Sequence, residues 1–326
     1  MKRIKKIGIF TSGGDSPGMN ACIRAAVRTA HAKGVDVTGI MEGYEGMITG
    51  YFKPLDAHDV SGIISRGGTI LKSSRSKEFE TVAGRKKAFE KLRAKNVDAL
   101  IAIGGDGTFK GAEALNAESG IPVVGCPGTI DNDLYGTDRT IGFDTACNTA
   151  MEALDRIRDT ATSHNRLFLV EVMGRDAGCI ALHSCIAGGA EAALLPEKID
   201  DLPKLMHFLE EKADRKIHGN VIVVSEGDET GGAAEVERMI NSKYPAYDTK
   251  VTVLGHLQRG GSPSCSDRIL ASKLGSAAVE ELLNGADLHM AGEVNGKVKL
   301  TPFTEAVNRK KPFDKELMRL SELLVI

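Results

Sequence analysis

The chain has no tryptophan and only 5% aromatic residues, which argues against stacking on bases as a main mode of recognition. Its six cysteines are Cys22, Cys126, Cys147, Cys179, Cys185 and Cys265. None forms a C-x-x-C pair, so zinc is not indicated, and they read as reduced, mostly buried thiols of a cytosolic protein. Neither sign of charge dominates: 42 basic residues stand against 44 acidic, a net charge of −2. That balance gives no surface for nucleic acid and no polybasic membrane anchor. No apolar stretch is long enough to span a bilayer. The basic start, Met1-Lys2-Arg3-Ile4-Lys5-Lys6, precedes an apolar run of residues 7–10 only. That is too short for a signal peptide and reads as a first strand. Short-period repeats and low-complexity linkers are also missing.

Glycine is what the chain has in quantity, 37 of 326 residues, clustered where apolar runs end. With 42% hydrophobic residues, the length suffices for two ordinary domains or one large one. Runs rich in Val and Ile recur at residues 6–10, 35–40, 99–103, 122–125, 167–172, 192–195, 220–224 and 251–254. They show little alternation, the pattern of strands buried on both faces of a parallel sheet. Between them, residues 20–33, 83–95, 144–160, 202–212, 233–241 and 267–283 carry apolar side chains at three- and four-residue spacing. This order predicts a doubly wound α/β fold, whose ligands bind beyond the carboxyl ends of the strands. Helices begin there, offering free N–H groups and a positive dipole end to phosphate.

Six clusters sit at such ends. Thr11-Ser12-Gly13-Gly14-Asp15-Ser16-Pro17-Gly18 resembles a phosphate cradle, yet it is neither G-x-x-x-x-G-K-[ST] nor G-x-G-x-x-G, so nicotinamide cofactors lose ground. Arg66-Gly67-Gly68-Thr69 leads to Ser73-Ser74-Arg75, where an Arg after a Gly/Ser-rich loop suits phosphate neutralisation. In Gly104-Gly105-Asp106-Gly107-Thr108 a carboxylate between glycines can meet Mg²⁺ carried by a nucleotide; lipid kinases and NAD kinases share this motif. In Gly128-Thr129-Ile130-Asp131-Asn132-Asp133, carboxylates at i and i+2 can combine a general base with an orienting partner. Glu171-Val172-Met173-Gly174-Arg175 and Gly255-His256-Leu257-Gln258-Arg259-Gly260-Gly261-Ser262-Pro263 each put an Arg at a glycine-lined strand end.

Together these segments resemble the ATP-dependent 6-phosphofructokinases of bacterial type, over roughly residues 5 to 313. The resemblance implies two doubly wound, three-layer α/β domains with the active site in the cleft between them. An ATP domain would comprise residues 1–141 plus 257–303, and a fructose 6-phosphate domain residues 142–256 plus 304–326. It implies Asp131 as the base at the sugar 1-hydroxyl, with Thr129, Asp133 and Arg175 beside it. Gly14, Arg75, Ser76, Gly105, Asp106, Gly107 and Thr108 would meet ATP, and Asp106 would also hold Mg²⁺. Thr129, Ile130, Asp131, Met173, Gly174, Arg175, Glu226, His256, Leu257, Gln258 and Arg259 would meet the sugar phosphate. Arg166 and Lys250 would reach it from a neighbouring subunit, so a homotetramer is implied, cytoplasmic, with no nucleic acid or membrane partner.

Some relatives use pyrophosphate and carry an Asp and a Lys at the positions of Gly107 and Gly128; small residues here leave room for the nucleotide and favour ATP. Lys72 stands where many relatives have glycine, and Lys250 where they have Arg, which would lose a bidentate fork and some sugar-phosphate affinity. At the implied effector site Arg24, Arg28, Arg158, Gly189, Glu191 and Arg215 match. Ala57, Gly62, Ile217 and Gly219 do not, and altered allostery is expected. A pyrophosphate-dependent enzyme is the alternative, and a catalytically inactive regulatory subunit a more distant one, since Asp106 and Asp131 are both present.

Overall fold

The computed structural model describes residues 3–164, 166–198, 201–212 and 220–324. The chain begins β1 (Lys6–Thr11), α1 (Met19–Ala32), β2 (Asp36–Ile40), α2 (Gly43–Thr49), β3 (Phe52–Leu55), α3 (Val82–Ala94), β4 (Ala99–Gly104), α4 (Asp106–Ser119) and β5 (Val123–Pro127). It continues with α5 (Phe143–His164), β6 (Leu167–Val172), α6 (Cys179–Gly188), β7 (Ala192–Leu194), α7 (Asp201–Lys212), β8 (Asn220–Ser225), α8 (Ala233–Lys243) and β9 (Thr249–Val253). After a 3₁₀ turn at Gly255–Arg259 come α9 (Cys265–Leu283), β10 (His289–Val294), β11 (Lys297–Pro302), α10 (Phe303–Asn308) and α11 (Lys315–Leu324).

These elements form two compact units. Unit 1 takes the chain up to Ile130, Leu134–Asp144 and Arg259–Lys311. Among the described residues its sheet runs β11-β10-β5-β4-β1-β2-β3, with parallel pairing from β10 through β2 and antiparallel strands β11 and β3 at the edges. Every residue of β4 is buried, and its side chains divide between two cores. Ala99, Ile101 and Ile103 pack with α1 and α9, while Leu100 and Ala102 pack with α2, α3, α4 and α10. A sheet covered on both faces has no use for polar alternation, which is why the runs are continuous. The α1–α9 approach depends on Gly275, where a Cβ would stand 2.5 Å from the Cys22 carbonyl oxygen. Helix α9 starts two residues before the expected 267, because the Ser264 hydroxyl caps it by accepting from the Asp267 N–H at 3.1 Å.

Unit 2 takes Asp131–Asp133, Thr145–Gln258 and the chain from Pro312. Its all-parallel sheet runs β7-β8-β6-β9 among the described residues. On one face Leu167, Leu169, Ile222 and Val224 pack with Leu205 and Leu209 of α7 and with Val236 and Ile240 of α8. The units differ from the expected division by a few residues at 142–144 and 257–258, and more at two other places. Helix α10 packs into unit 1, where Phe303 stacks on Phe109 with ring centroids 4.7 Å apart. The triplet Asp131–Asp133 groups with unit 2 although the chain on either side of it groups with unit 1. Among the thiols, Cys22, Cys126 and Cys185 are buried, but Cys147 and Cys179 are half-buried and Cys265 is exposed, so burial is less general than expected; none of the six is in a disulfide. No helix among the described residues is long and apolar enough to cross a membrane.

Candidate active site

Strand order locates the candidate loops. In unit 1 the order reverses between β1 and β4, and a ligand crevice opens beyond the carboxyl ends of strands at such a switch. There the loop after β1 is tied to β4 by Ser12 N–H donating to Ile103 O at 3.1 Å. The Thr108 hydroxyl donates to Ser12 O at 3.1 Å and is buried. Thr108 therefore spends its proton on joining the loops. Gly104 must be glycine here, since a Cβ would stand 2.2 Å from Thr108 Oγ1 and 2.5 Å from Ser12 O. Gly105 is the N-cap of α4 and Asp106 its first residue. Gly107 follows in the first turn, and a Cβ on it would meet nothing within 4 Å.

Asn20 organises the second loop, a role the sequence did not signal. Its Nδ2 donates to Arg66 O at 3.0 Å and Gly67 O at 3.1 Å, while its Oδ1 accepts from Ile70 N–H at 2.7 Å. Lys72 has φ +60°, a conformation that suits glycine. The Thr11 hydroxyl donates to its carbonyl at 2.7 Å, and its ammonium lies 3.7 Å from Glu42. Arg75 is exposed. The Ser76 hydroxyl oxygen accepts from Phe79 N–H at 3.3 Å.

The fourth cluster starts where β5 ends. Gly128 N–H donates to Gly104 O at 3.0 Å, and Thr129 lies beside Gly105, 3.7 Å from where its Cβ would be. A Cβ on Gly128 would stand 2.9 Å from Ile103 Cγ2 and 3.1 Å from Met19 Cε. Both neighbours are fully buried, so Gly128 answers to core packing, whereas the open space expected for a donor lies at Gly107. Ile130 is buried.

In unit 2, β6 lies between β8 and β9, and the loops after all three meet at its carboxyl end. Asp131 is 4% exposed and its Oδ2 is 3.5 Å from Arg175 Nε. Asn132 next to it has φ +55° and Arg175 φ +51°, so strained backbone flanks the charge pair. Glu226 Oε1 accepts from Arg175 N–H at 2.9 Å and from Gly174 N–H at 3.3 Å. Gln258 is fully buried, and its Oε1 accepts from Met173 N–H at 2.8 Å. A Cβ on Gly227 would stand 1.7 Å from Arg175 O. Thus Glu226, Gly227 and Gln258 fix the Met173–Arg175 backbone. His256 and Leu257 are exposed, and Asp133 is half-buried.

Buried polar atoms with no partner among the described residues concentrate on these loops: Ser16 Oγ in the first, Ser225 Oγ at the end of β8, and Gln258 Nε2 and Arg259 Nε. Such orphans mark places where water or ligand completes the bonding.

Arg166 and Lys250 lie together. Arg166 Nε donates to Asp248 Oδ2 at 2.7 Å, and Lys250 Nζ to Oδ1 at 2.5 Å. Asp248 escaped the sequence reading, which had no pattern to flag a lone Asp before a strand. The Lys250 ammonium first, then the Arg166 guanidinium, hold its carboxyl below the usual range.

The expected effector residues fall in both units. Arg24 and Arg28 lie on α1, and Arg28 lines a cavity of about 480 Å³ with His31, Ala57 and His58. In unit 2, Arg158 donates to Gly188 O at 2.9 Å, Gly189 O at 2.5 Å and Glu191 at 3.2 Å. Arg215, Lys216, Ile217 and Gly219 lie outside the described residues.

As a holder for Mg²⁺, Asp106 stands 3.5 Å from Lys110 and is partly exposed. Among the described residues no group of three or more His, Cys, Asp or Glu could hold a metal. A single carboxylate at a helix N-terminus fits an ion that arrives on a nucleotide and keeps phosphate and water ligands. It does not fit a resident metal.

A glycine loop on a helix N-terminus in one unit and a carboxylate beside a guanidinium in the other are the equipment of a phosphotransferase built on the α/β plan. The family model described as phosphofructokinase matches residues 6–282. A Thermus thermophilus protein named ATP-dependent 6-phosphofructokinase 1 is 58% identical over 99% of this chain and 100% of its own length. A Cytophaga hutchinsonii protein named ATP-dependent 6-phosphofructokinase is 52% identical, covering 98% of both. The solved phosphofructokinase of Saccharomyces cerevisiae superposes with a TM-score of 0.85 at 36% identity, over 98% of this chain and 47% of that one. The chain belongs to the phosphofructokinase family.

Proposed function

We propose that this protein transfers the γ-phosphate of ATP to the 1-hydroxyl of fructose 6-phosphate, giving fructose 1,6-bisphosphate and ADP. The pairing of Asp131 with Arg175 carries this reading. A nearly buried carboxylate beside a guanidinium, on a backbone fixed by Glu226 and Gln258, is placed to accept the hydroxyl proton. As that proton passes to Asp131, the sugar oxygen bonds to the γ-phosphorus, the bond to the β-phosphate oxygen breaks, and ADP leaves. The reaction needs positioning and charge stabilisation more than covalent help. Arg175 offsets the charge of the transferring group; Thr129 and Asp133 flank the path.

We assign nucleotide binding to unit 1, through Gly14, Arg75, Ser76, Gly105 and Gly107, with Thr108 joining the loops beneath. Mg²⁺ held by Asp106 would supply charge neutralisation on the phosphates. The open space at Gly107 supports ATP as donor. Sugar-phosphate binding falls to unit 2, through Met173, Gly174, Arg175, Glu226 and His256. Arg166 and Lys250 act across a subunit boundary in a homotetramer; exposed Val253, on β9 with Lys250, supports a covered face. The enzyme is cytoplasmic, as its soluble substrates require. Its regulation departs from the family at Ala57, where His31 and His58 are the basic neighbours of Arg28.

The test is an assay of fructose 1,6-bisphosphate formation with ATP or pyrophosphate as donor, using wild type and Asp131→Asn. Turnover with ATP alone, a kcat lower by about 10²–10⁴-fold in the variant and a nearly unchanged KM for fructose 6-phosphate are expected. Turnover with pyrophosphate alone would overturn the donor, and a variant that keeps its kcat would overturn the base.

A further inference from the structure

Seven non-glycine residues among those described take a positive φ. Three are asparagines, which tolerate it. Arg175 belongs to the proposed catalytic pair. Leu288 is bonded into the sheet on both sides, its N–H to Val123 O at 2.8 Å and its carbonyl to Phe303 N–H at 2.8 Å. The remaining two, Glu42 at +59° and Lys72 at +60°, meet in unit 1. The Glu42 N–H donates to Leu71 O at 2.7 Å, and the Lys72 ammonium lies 3.7 Å from Glu42 Oε1. Two long side chains of opposite charge thus stand where the backbone would suit glycine.

The surroundings enforce the conformation of Lys72. Leu71 before it is buried against β2, 2.7 Å from where a Cβ on Gly39 would be, and the Lys72 N–H donates to Thr69 O at 3.1 Å. The Lys72 carbonyl accepts from the Thr11 hydroxyl, and Ser73 Oγ donates to Gly13 O at 2.6 Å. Residues 72 and 73 are therefore pinned to the first glycine loop, with Arg75 next but one. A surface ion pair stabilises by less than two left-handed backbones cost, so fold stability does not account for the pair. Strain that the surroundings hold in place collects at binding and catalytic sites. In unit 2 it flanks Asp131 and Arg175; in unit 1 it carries Glu42 and Lys72.

We propose that Lys72 is a ligand of the donor nucleotide: its ammonium binds the phosphate chain beside Gly13-Gly14, and Glu42 is the counter-ion that holds it there in the free protein. The assignment rests on the reading of unit 1 as the nucleotide site. The Lys72 side chain is 60% exposed and open to an incoming anion. An ammonium is a compact charge with three donors on a flexible stem, so passing from carboxylate to phosphate needs only rotation of that stem. A polyphosphate carries more charge than one carboxylate and takes the cation when it binds. The second loop then brings two cations to the donor, Lys72 and Arg75.

The test is equilibrium titration of the full-length protein with the non-hydrolysable β,γ-imido analogue of ATP plus Mg²⁺, without sugar, and separately with fructose 6-phosphate, without nucleotide. Lys72→Met keeps the stem and removes the charge; Lys72→Gly also frees the backbone. Both are expected to weaken the analogue by about three- to tenfold, the worth of a charge-assisted contact discounted for exposure. The loss should shrink as salt rises, and Lys72→Arg should recover most of it. Glu42→Gln should tighten the analogue by up to about fivefold in an otherwise wild-type chain, and change it by less than about twofold in the Lys72→Met background. Fructose 6-phosphate binding should stay within about twofold throughout. Unchanged analogue affinity in Lys72→Met would overturn the proposal, and a loss confined to Lys72→Gly would then report the backbone alone. Weaker binding in Glu42→Gln would overturn it too, because a counter-ion competes with the ligand. So would an equal loss of fructose 6-phosphate binding. If wild type binds no analogue, the nucleotide reading of unit 1 fails and this proposal falls with it.

Discussion

Two glycines that look alike in the sequence should respond to alanine with opposite signs. Gly107 is helical, in the first turn of α4, and its added Cβ would meet nothing within 4 Å. Glycine in a helix costs about 0.5–1 kcal/mol relative to alanine, so Gly107→Ala should stabilise the ligand-free protein by that amount. For a unit of about 150–250 residues, 1 kcal/mol moves Tm by roughly 2–4 °C, giving a rise of about 1–4 °C. The new methyl would enter the space proposed for the nucleotide. If it overpacks the bound state as it would a core, the cost is about 1–3 kcal/mol, or roughly 5–150-fold in KM for ATP. Gly128→Ala instead pushes a methyl to 2.9 Å from Ile103 Cγ2 and 3.1 Å from Met19 Cε, both fully buried. The same overpacking penalty, about 1–3 kcal/mol, then falls on the fold, and Tm should drop by roughly 2–12 °C. Scanning calorimetry of ligand-free protein at one fixed concentration, with steady-state kinetics at 25 °C, measures both quantities. A Gly107→Ala protein that melts lower, or a Gly128→Ala protein that melts unchanged while its KM for ATP rises, would refute the reasoning.

Three further outcomes follow from individual contacts. Asp248 holds Arg166 and Lys250, and under the proposed function it would compete with the sugar phosphate for them, so Asp248→Asn should lower the KM for fructose 6-phosphate by up to about fivefold, the range of exposed ion pairs; a rise would mean that Asp248 positions the cations. Burial, aided by Glu191 and opposed by Arg158, pushes the Cys185 thiol from 9.0 up to about 12. The folded thiol keeps its proton where the unfolded one loses it, so this stabilisation is complete below pH 9 and disappears as pH rises toward 12. Cys185→Ala should remove about 1.4 kcal/mol per pH unit from the alkaline slope of unfolding free energy, and an unchanged slope in urea titrations counts against the assignment. Lys72 occupies a left-handed conformation, so Lys72→Gly should stay within about 1 kcal/mol of wild type, while Lys72→Val should lose about 1–2 kcal/mol; equal melting of the two variants would show that φ carries no cost.

The sheet core was legible because its strands are buried on both faces: residues 99–103 and 220–224 read as continuous apolar runs. The edges were not. Strand β3 has one buried residue and contains Pro54, and the β10–β11 hairpin mixes Gly292, Glu293 and three lysine or threonine positions with its apolar residues. Helix α6 is apolar on most sides, so it lacks the spacing that marked α1 or α8. At the site, the glycine and carboxylate clusters announced themselves by composition, and family resemblance gave them roles. What holds them in place did not. Asn20, Gln258 and Asp248 act through contacts with distant chain, and the difference between Gly107 and Gly128 depends on the direction in which an absent side chain would point.

The interruption of unit 1 by Thr145–Gln258 has a consequence for the order of events at the ribosome. Strand β5 needs β10 to close its free edge, and the apolar face of α1, with Ile23, Ala26 and Val27, needs α9. Roughly 160 residues of synthesis separate β5 from β10, about 8–32 s at 5–20 residues per second. During that wait the nascent chain carries an unpaired strand edge and an uncovered helix, the features that chaperones hold and that aggregates grow from. The first residues made are among the last to be sheltered, and the yield of the protein in a cell depends on how that interval is guarded.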